Sequence, residues 1–252
     1  MSGMSGHRLH RSVLGVALSL GLVCAATPLA MGAQAASKAA VETFTIGTSV
    51  KGRPITVVHR SHDGARTKVV IIGNIHGDER AGLRVIKDLL DRKLPTNVDL
   101  YLIRTANPDG VAADRRTNAN GVDLNRNFGY HWAPSTKGTS TWSGPAKFSE
   151  PESRALKKFV KQLDPALVVT FHQPLFGVGA NDKGMPIVRA IAAGIHLPVR
   201  SFSCTGKCAG SFTSWVNHRT DGVAVTVEFG EKAAKKRIRR AARTVLRVGS
   251  TL

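Results

Sequence analysis

The sequence predicts an α/β fold, a single domain with a central β-sheet flanked by helices, and three observations lead there. Residues 69–75 are a mostly apolar, β-branched run, and residues 166–171 a second, both of the kind found in strands covered on both faces. Residues 79–93 carry Leu83, Ile86, Leu89 and Leu90 at helical spacing directly after the first of these runs. The length, 252 residues, suits one sizeable core and is short for two.

The remaining elements follow in order. Residues 41–46 and 54–59 alternate as a hairpin around Lys51-Gly52-Arg53. A strand over residues 98–103 runs to the turn signal Asn107-Pro108-Asp109-Gly110. Residues 110–151 are rich in Asn, Gly, Ser and Thr with little periodicity, and a loop this long in a compact domain is usually functional. Ser149-Glu150-Pro151-Glu152 opens a helix to about residue 163, with Pro in its first turn. Residues 186–195 are a further helix and 222–229 a last core strand. The segment 232–247 is a basic helix whose inner face is marked by Ile238, Ala241, Val245 and Val248. A solvated helix packed on the sheet is its plain reading, and a polyanion-binding face the sharper one. No internal repeat is evident.

Hydrophobic content of 42% fits a globular chain, but Lys and Arg number 36 against 17 Asp and Glu, a formal +19. Such an excess favours anionic partners: nucleic acid, acidic lipid, or the anionic polymers of a cell wall. The start of the chain narrows the choice. His7, Arg8, His10 and Arg11 precede an apolar run over residues 13–26, shorter than a bilayer-spanning helix, and Ala33-Gln34-Ala35 offers small residues to a signal peptidase. Residues 1–35 are therefore expected to be a cleaved signal peptide and residues 36–252 the mature domain, secreted, periplasmic or wall-associated, with no stable membrane insertion afterwards. A membrane anchor is the alternative; a lipoprotein at Cys24 is disfavoured by the bulk of Val23. Cleavage would leave Cys204 and Cys208, read as a small disulfide loop, or otherwise as two free thiols. Export, and the lack of any helix-turn-helix, RNP or zinc-finger pattern, argue against nucleic acid.

Reactive residue types fall where an α/β sheet builds its sites, at the carboxyl ends of strands. His76-Gly77-Asp78-Glu79 follows one buried run, His172 another, and Glu228 lies near the end of a third. A catalytic zinc commonly takes two His and one Glu and keeps a position open. His76 and Glu79, three residues apart at a strand-to-helix turn, can bind one ion together, with His172 completing the set. Glu228 is then the candidate general base for the water such an ion activates. Singly, each has an ordinary explanation: solvated residues at a helix start, a hydrogen-bonded core histidine, a carboxylate paired with one of many cations. Their joint order and strand context make coincidence a poor account.

These residues resemble the M14 zinc carboxypeptidase family, and within it the short murein peptide amidases, which hydrolyse γ-D-glutamyl–diaminopimelate bonds of cell-wall peptides. The resemblance runs from about residue 41 to 231. It includes Ile46-Gly47-Thr48 through Ile55 as an opening hairpin, His76-Gly77-Asp78-Glu79, Asn107-Pro108-Asp109-Gly110, Asn118 through Phe128 as the most specific stretch, Phe171-His172, Gly210-Ser211-Phe212, and Thr226-Val227-Glu228-Phe229. It implies a mixed sheet of the zinc carboxypeptidase-like (phosphorylase/hydrolase-like) kind and one Zn2+ per chain on His76, Glu79 and His172. It further implies Asn125 and Arg126 holding the substrate carboxylate, Arg116 stabilising the oxyanion, with Arg115 its competitor, and Asp123 orienting His76. Phe212 or Thr213 would lie near the specificity pocket. The chain departs from the classical enzymes at residues 203–208, where no Tyr stands before Gly210.

The expected function is thus a secreted zinc metallopeptidase acting on murein stem peptides, with an anionic wall polymer as a further partner. A secreted carboxypeptidase for ordinary peptides is the alternative, and a non-catalytic wall-binding protein of the same fold the third reading.

Overall fold

Strands with β-branched residues on both faces need cover on both sides, and the chain supplies it. The computed structural model describes residues 38–202 and 209–252, and among these eight strands form one mixed sheet. They are β1 (Ala40–Thr48), β2 (Pro54–Ser61), β3 (Thr67–Ile72), β4 (Val98–Ile103), β5 (Leu167–His172), β6 (Gly177–Gly179), β7 (Val199–Arg200) and β8 (Val223–Glu228), in the order β1-β2-β4-β3-β5-β8-β6-β7. The hairpin β1–β2 adds antiparallel to β4, while β4, β3, β5 and β8 run parallel. β6 lies antiparallel on β8.

Successive strand residues point to opposite faces, and the two halves of the core follow that alternation. Val69, Ile71, Val169 and Val225 pack under α1 (Ala81–Leu90), α4 (Met185–Ile195) and α6 (Lys235–Gly249). Val70, Ile72, Val168 and Ala224 pack under α3 (Pro151–Leu163) and α5 (Phe212–Arg219). A short α2 (Pro108–Ala113) and a 3-10 turn at Leu124–Arg126 interrupt the long connection between β4 and α3.

Several expectations shift. The strand expected over 69–75 spans Thr67–Ile72, and its last rung on β4 is the bond from Gly73 N–H to the Ile103 carbonyl (2.8 Å). α1 spans Ala81–Leu90 rather than 79–93. At its start the Asn74 side chain holds the Glu79 carbonyl (3.2 Å) in a turn before the helix. At its end the buried Arg60 guanidinium takes the Leu89 and Arg92 carbonyls (2.6 and 2.8 Å). Asn107-Pro108-Asp109-Gly110 opens α2, with the Asn107 side chain accepting from Gly110 N–H (2.8 Å) and Pro in the first turn. β6 and β7, three and two residues long, were not expected. The signal peptide expected at residues 1–35 and the disulfide expected between Cys204 and Cys208 fall outside the described residues. Among the described residues no helix is long and apolar enough to cross a membrane.

Two close contacts fix the loops that matter. A Cβ on Gly77 would stand 1.9 Å from the Gly110 backbone, so the His76 loop and α2 can meet only through glycine. Phe128, fully buried, packs its ring against Phe148, Phe212 and Trp215 (centroids 5.7, 5.0 and 5.8 Å), anchoring the 3-10 turn to α5. Phe128→Ala should therefore cost about 3–5 kcal/mol, read as a lower urea midpoint at unchanged slope. A change under about 1 kcal/mol would mean the ring is not the anchor.

Candidate metal centre

Register brings the reactive residues to one height. Ile72 pairs with Thr170, Thr170 with Thr226, and His172 sits directly beside Glu228 at the ends of β5 and β8. From β3 the chain runs three loop residues to His76 and turns there, Glu79 N–H bonding the His76 carbonyl (3.3 Å). His76, Glu79 and His172 are all buried, and their donor atoms lie within 4.8 Å of one another. His76 Nδ1 is 2.7 Å from Glu79 Oε1, His172 Nδ1 is 2.8 Å from Glu79 Oε2, and the two Nδ1 atoms are 3.2 Å apart.

This set fits zinc. Two imidazole nitrogens aimed at one another cannot both carry protons without conflict, and a shared cation removes the conflict. Their 3.2 Å separation matches the edge of about 3.3 Å that a tetrahedron with zinc–nitrogen bonds near 2.0–2.1 Å would have. Asp123, fully buried, accepts from His76 Nε2 (3.0 Å) and so turns Nδ1 toward Glu79. His172 Nε2 is buried with no hydrogen-bond partner among the described residues, which leaves Nδ1 as its one polar engagement.

The electrostatics follow. Burial alone disfavours the His76 imidazolium, yet Asp123 and Glu79 outweigh it and hold its pKa at about 9. Burial likewise pushes Glu79 upward, but the His76 and His172 rings bring it down to about 2. Asp123 is held well below the carboxylate range, because His76, Arg116 and Arg126 override its burial. Glu228 moves the other way, raised chiefly by burial, with Leu175 N–H on its Oε2 (3.3 Å).

A cavity of about 410 Å³ opens over these groups and is lined by all three donors, Glu228, Arg116, Asn125 and Arg126. Arg116 donates to Asp123 Oδ2 (2.8 Å) and to Glu79 Oε1 (3.3 Å), at the edge of the donor set. Arg115 turns to the Asn118 carbonyl (2.5 Å), and of the two arginines Arg116 is the one that lines the cavity over the donor set. Asn125 accepts from Phe212 N–H (2.9 Å), which leaves its NH2 end for the cleft. Thr213 lines the cavity, its hydroxyl 2.7 Å from that of Thr226, whereas Phe212 is buried in the core.

Other residues with positioning roles were not expected. Gln173 Oε1 accepts from Ala81 N–H (2.7 Å) at the start of α1, while its amide donates to the carbonyls of Gly230 (3.2 Å) and Glu231 (2.9 Å) after β8. It thus ties the exits of β5 and β8 to the start of α1. Asn118 donates to the buried carboxylates of Glu150 (2.7 Å) and Glu152 (3.1 Å), fastening the stretch ahead of Asp123 to the start of α3. The sequence marked both glutamates as helix openers, and nothing local pointed to a partner some 30 residues away.

Comparison with known proteins agrees with this geometry. The zinc carboxypeptidase family model matches residues 30–174, more than half of the chain, a span that contains His76, Glu79 and His172. Murein peptide amidase A of Escherichia coli K12 is 30% identical over 181 residues, 67% of this chain and 74% of that protein. Murein peptide amidase A of Vibrio campbellii is 29% identical, over 69% and 73% of the two chains. The crystal structure of a murein-tripeptide amidase from Escherichia coli O157 superposes with a TM-score of 0.65 at 25% identity, covering 82% of this chain and 91% of that one. Carboxypeptidase A of Helicoverpa armigera shares the fold, with a TM-score of 0.70 at 18% identity over 84% of this chain and 68% of that one. The wild-type protein should retain about one zinc per chain after dialysis, and His76→Ala or His172→Ala should abolish that stoichiometric binding. Metal analysis finding full zinc in either variant would remove the centre. By donor set, fold and matched sequence, the chain belongs to the M14 zinc carboxypeptidase family and is a zinc metallopeptidase.

Proposed function

We propose that the protein cuts peptide or γ-D-glutamyl–diamino acid bonds in murein stem peptides, outside the cytoplasmic membrane. Its similarity to the murein peptide amidases across most of both chains supports the substrate. The basic, apolar and small-residue pattern of residues 7–35 supports export. The observation that carries the mechanism is the pairing of His172 with Glu228, which sets a carboxylate beside the donor triad at the floor of the cleft.

When bound, zinc supplies Lewis acidity, lowering the pKa of a coordinated water toward 7 and polarising the scissile carbonyl. The chain's own residues do the rest. Glu228 takes the proton from the attacking water and delivers it to the leaving amine. Arg116, held by Asp123, presents its guanidinium to the oxyanion of the tetrahedral intermediate, where preorganised positive charge has its largest effect. Arg126, with the Asn125 amide beside it, grips the carboxylate of the leaving residue, for which a planar guanidinium is well shaped. Around the pocket stand the uncharged Thr213, Thr226 and Asn217 together with the charged Asp182 and Lys183, so the leaving side chain meets polar groups of both signs.

Glu228→Gln should keep zinc yet lose turnover by roughly 10³-fold; near-normal turnover would remove Glu228 as the base. The substrate is tested by mass spectrometry of products from purified stem-peptide muropeptides beside a hippuryl-type peptide. Cleavage of the muropeptides is expected. Cleavage of the hippuryl substrate alone would make this an ordinary carboxypeptidase, and no cleavage of either, with zinc bound, a wall-binding protein.

A further inference from the structure

Helix α6 is built against its own stability. Of its 15 residues (KKRIRRAARTVLRVG) seven are Lys or Arg and none is acidic. Lys235, Lys236 and Arg237 occupy the first turn, where the helix dipole is already positive, and no side chain caps that end. Outward along the helix, Lys235 and Arg239, Lys236 and Arg240, Arg239 and Arg243, and Arg243 and Arg247 stand four residues apart, the spacing at which like charges repel. Two of these cations serve the fold: Arg237 lies over the Phe176 ring (4.8 Å) and Arg240 bonds His196 Nδ1 (3.2 Å). Lys235, Lys236, Arg239, Arg243 and Arg247 are exposed. α1 broadens the stripe with Lys87 and with Arg84, which reaches the Ala233 carbonyl (2.9 Å). The acids nearby are Asp88, already paired with Arg92, and the exposed Asp91 and Glu231.

We infer that this face binds a flexible polymer of repeating phosphate groups. Guanidinium-rich rows suit phosphate, which accepts two parallel hydrogen bonds from one Arg, and α6 offers about 22 Å of such a row. A membrane is a poorer match: the apolar residues of α6 are buried against the sheet, leaving none to insert. Nucleic acid is also poorer, since the helix carries no Asn or Gln to read base edges and no aromatic residue to stack on bases. The row also leads toward the cleft. Arg237 touches Phe176, and the neighbouring Leu175 lines the cavity and holds Glu228. A bound polymer would thus keep the enzyme beside substrate carried on the same matrix.

The test uses the full mature chain and long-chain inorganic polyphosphate as probe. Lys235→Gln, Lys236→Gln, Arg239→Gln and Arg243→Gln together should weaken binding at least tenfold near 0.15 M salt. They should also flatten the log–log salt dependence by about 3. Melting temperature should stay level or rise by a few degrees, because repulsion is relieved. A matched removal on the opposite side of the sheet (Lys51→Gln, Lys147→Gln, Lys158→Gln and Lys161→Gln) should leave binding within about twofold. Equal loss in both sets would show net charge alone at work, and unchanged binding in the α6 set would also overturn the inference. So would a melting temperature that falls in the α6 set, showing that the charges serve the fold. Preference for phosphatidylglycerol vesicles or duplex DNA over polyphosphate would assign the face to another partner and overturn it too.

Discussion

The constraint on which the rest depends is the register of three parallel strands. β5 and β8 end level with one another and β3 two residues earlier, beside Thr170, so all three open at the same end of the sheet. His172 and Glu228 close β5 and β8, and the three loop residues after β3 bring His76 and Glu79 over to meet them. A shift of one residue in β5 would turn His172 into the opposite core. Burial of valines and isoleucines on both faces makes that shift expensive, so hydrophobic packing far from the chemistry sets the geometry of the centre.

Polar contacts then convert position into orientation. Asp123 directs the His76 ring and holds Arg116, and Asn118 with the buried Glu150 and Glu152 keeps the Asp123 segment in place. Gln173 clasps the exits of β5 and β8 to the start of α1. His76 thus rests on Asp123 and Glu79 on Arg116, while His172 is set by its place at the end of β5. This is the arrangement needed to hold a site within a fraction of an ångström.

Much of this was legible beforehand. β4 was read at its true limits because Val98, Leu100, Tyr101, Leu102 and Ile103 make a short apolar run, and the structure buries all six of its residues. The donor triad, and the place of Glu228 beside it, were legible because these residues stand at or just after strand ends, where short-range pattern and topology agree. Helix limits were less so: α1 is shortened at both ends by side chains from elsewhere, Asn74 and Arg60, which local periodicity does not contain. β6 and β7 are too short to leave a pattern. The Asn118–Glu150–Glu152 contact joins segments whose sequences give no sign of one another, and only packing reveals it.

The central claim is that His76, Glu79 and His172 converge on a single divalent ion. Anomalous diffraction at the zinc absorption edge, from crystals of the protein grown with equimolar zinc, tests it most directly. One strong peak within about 2.0–2.3 Å of both Nδ1 atoms and the Glu79 carboxylate is expected. A peak elsewhere, or none at the triad with the side chains turned apart, would contradict it.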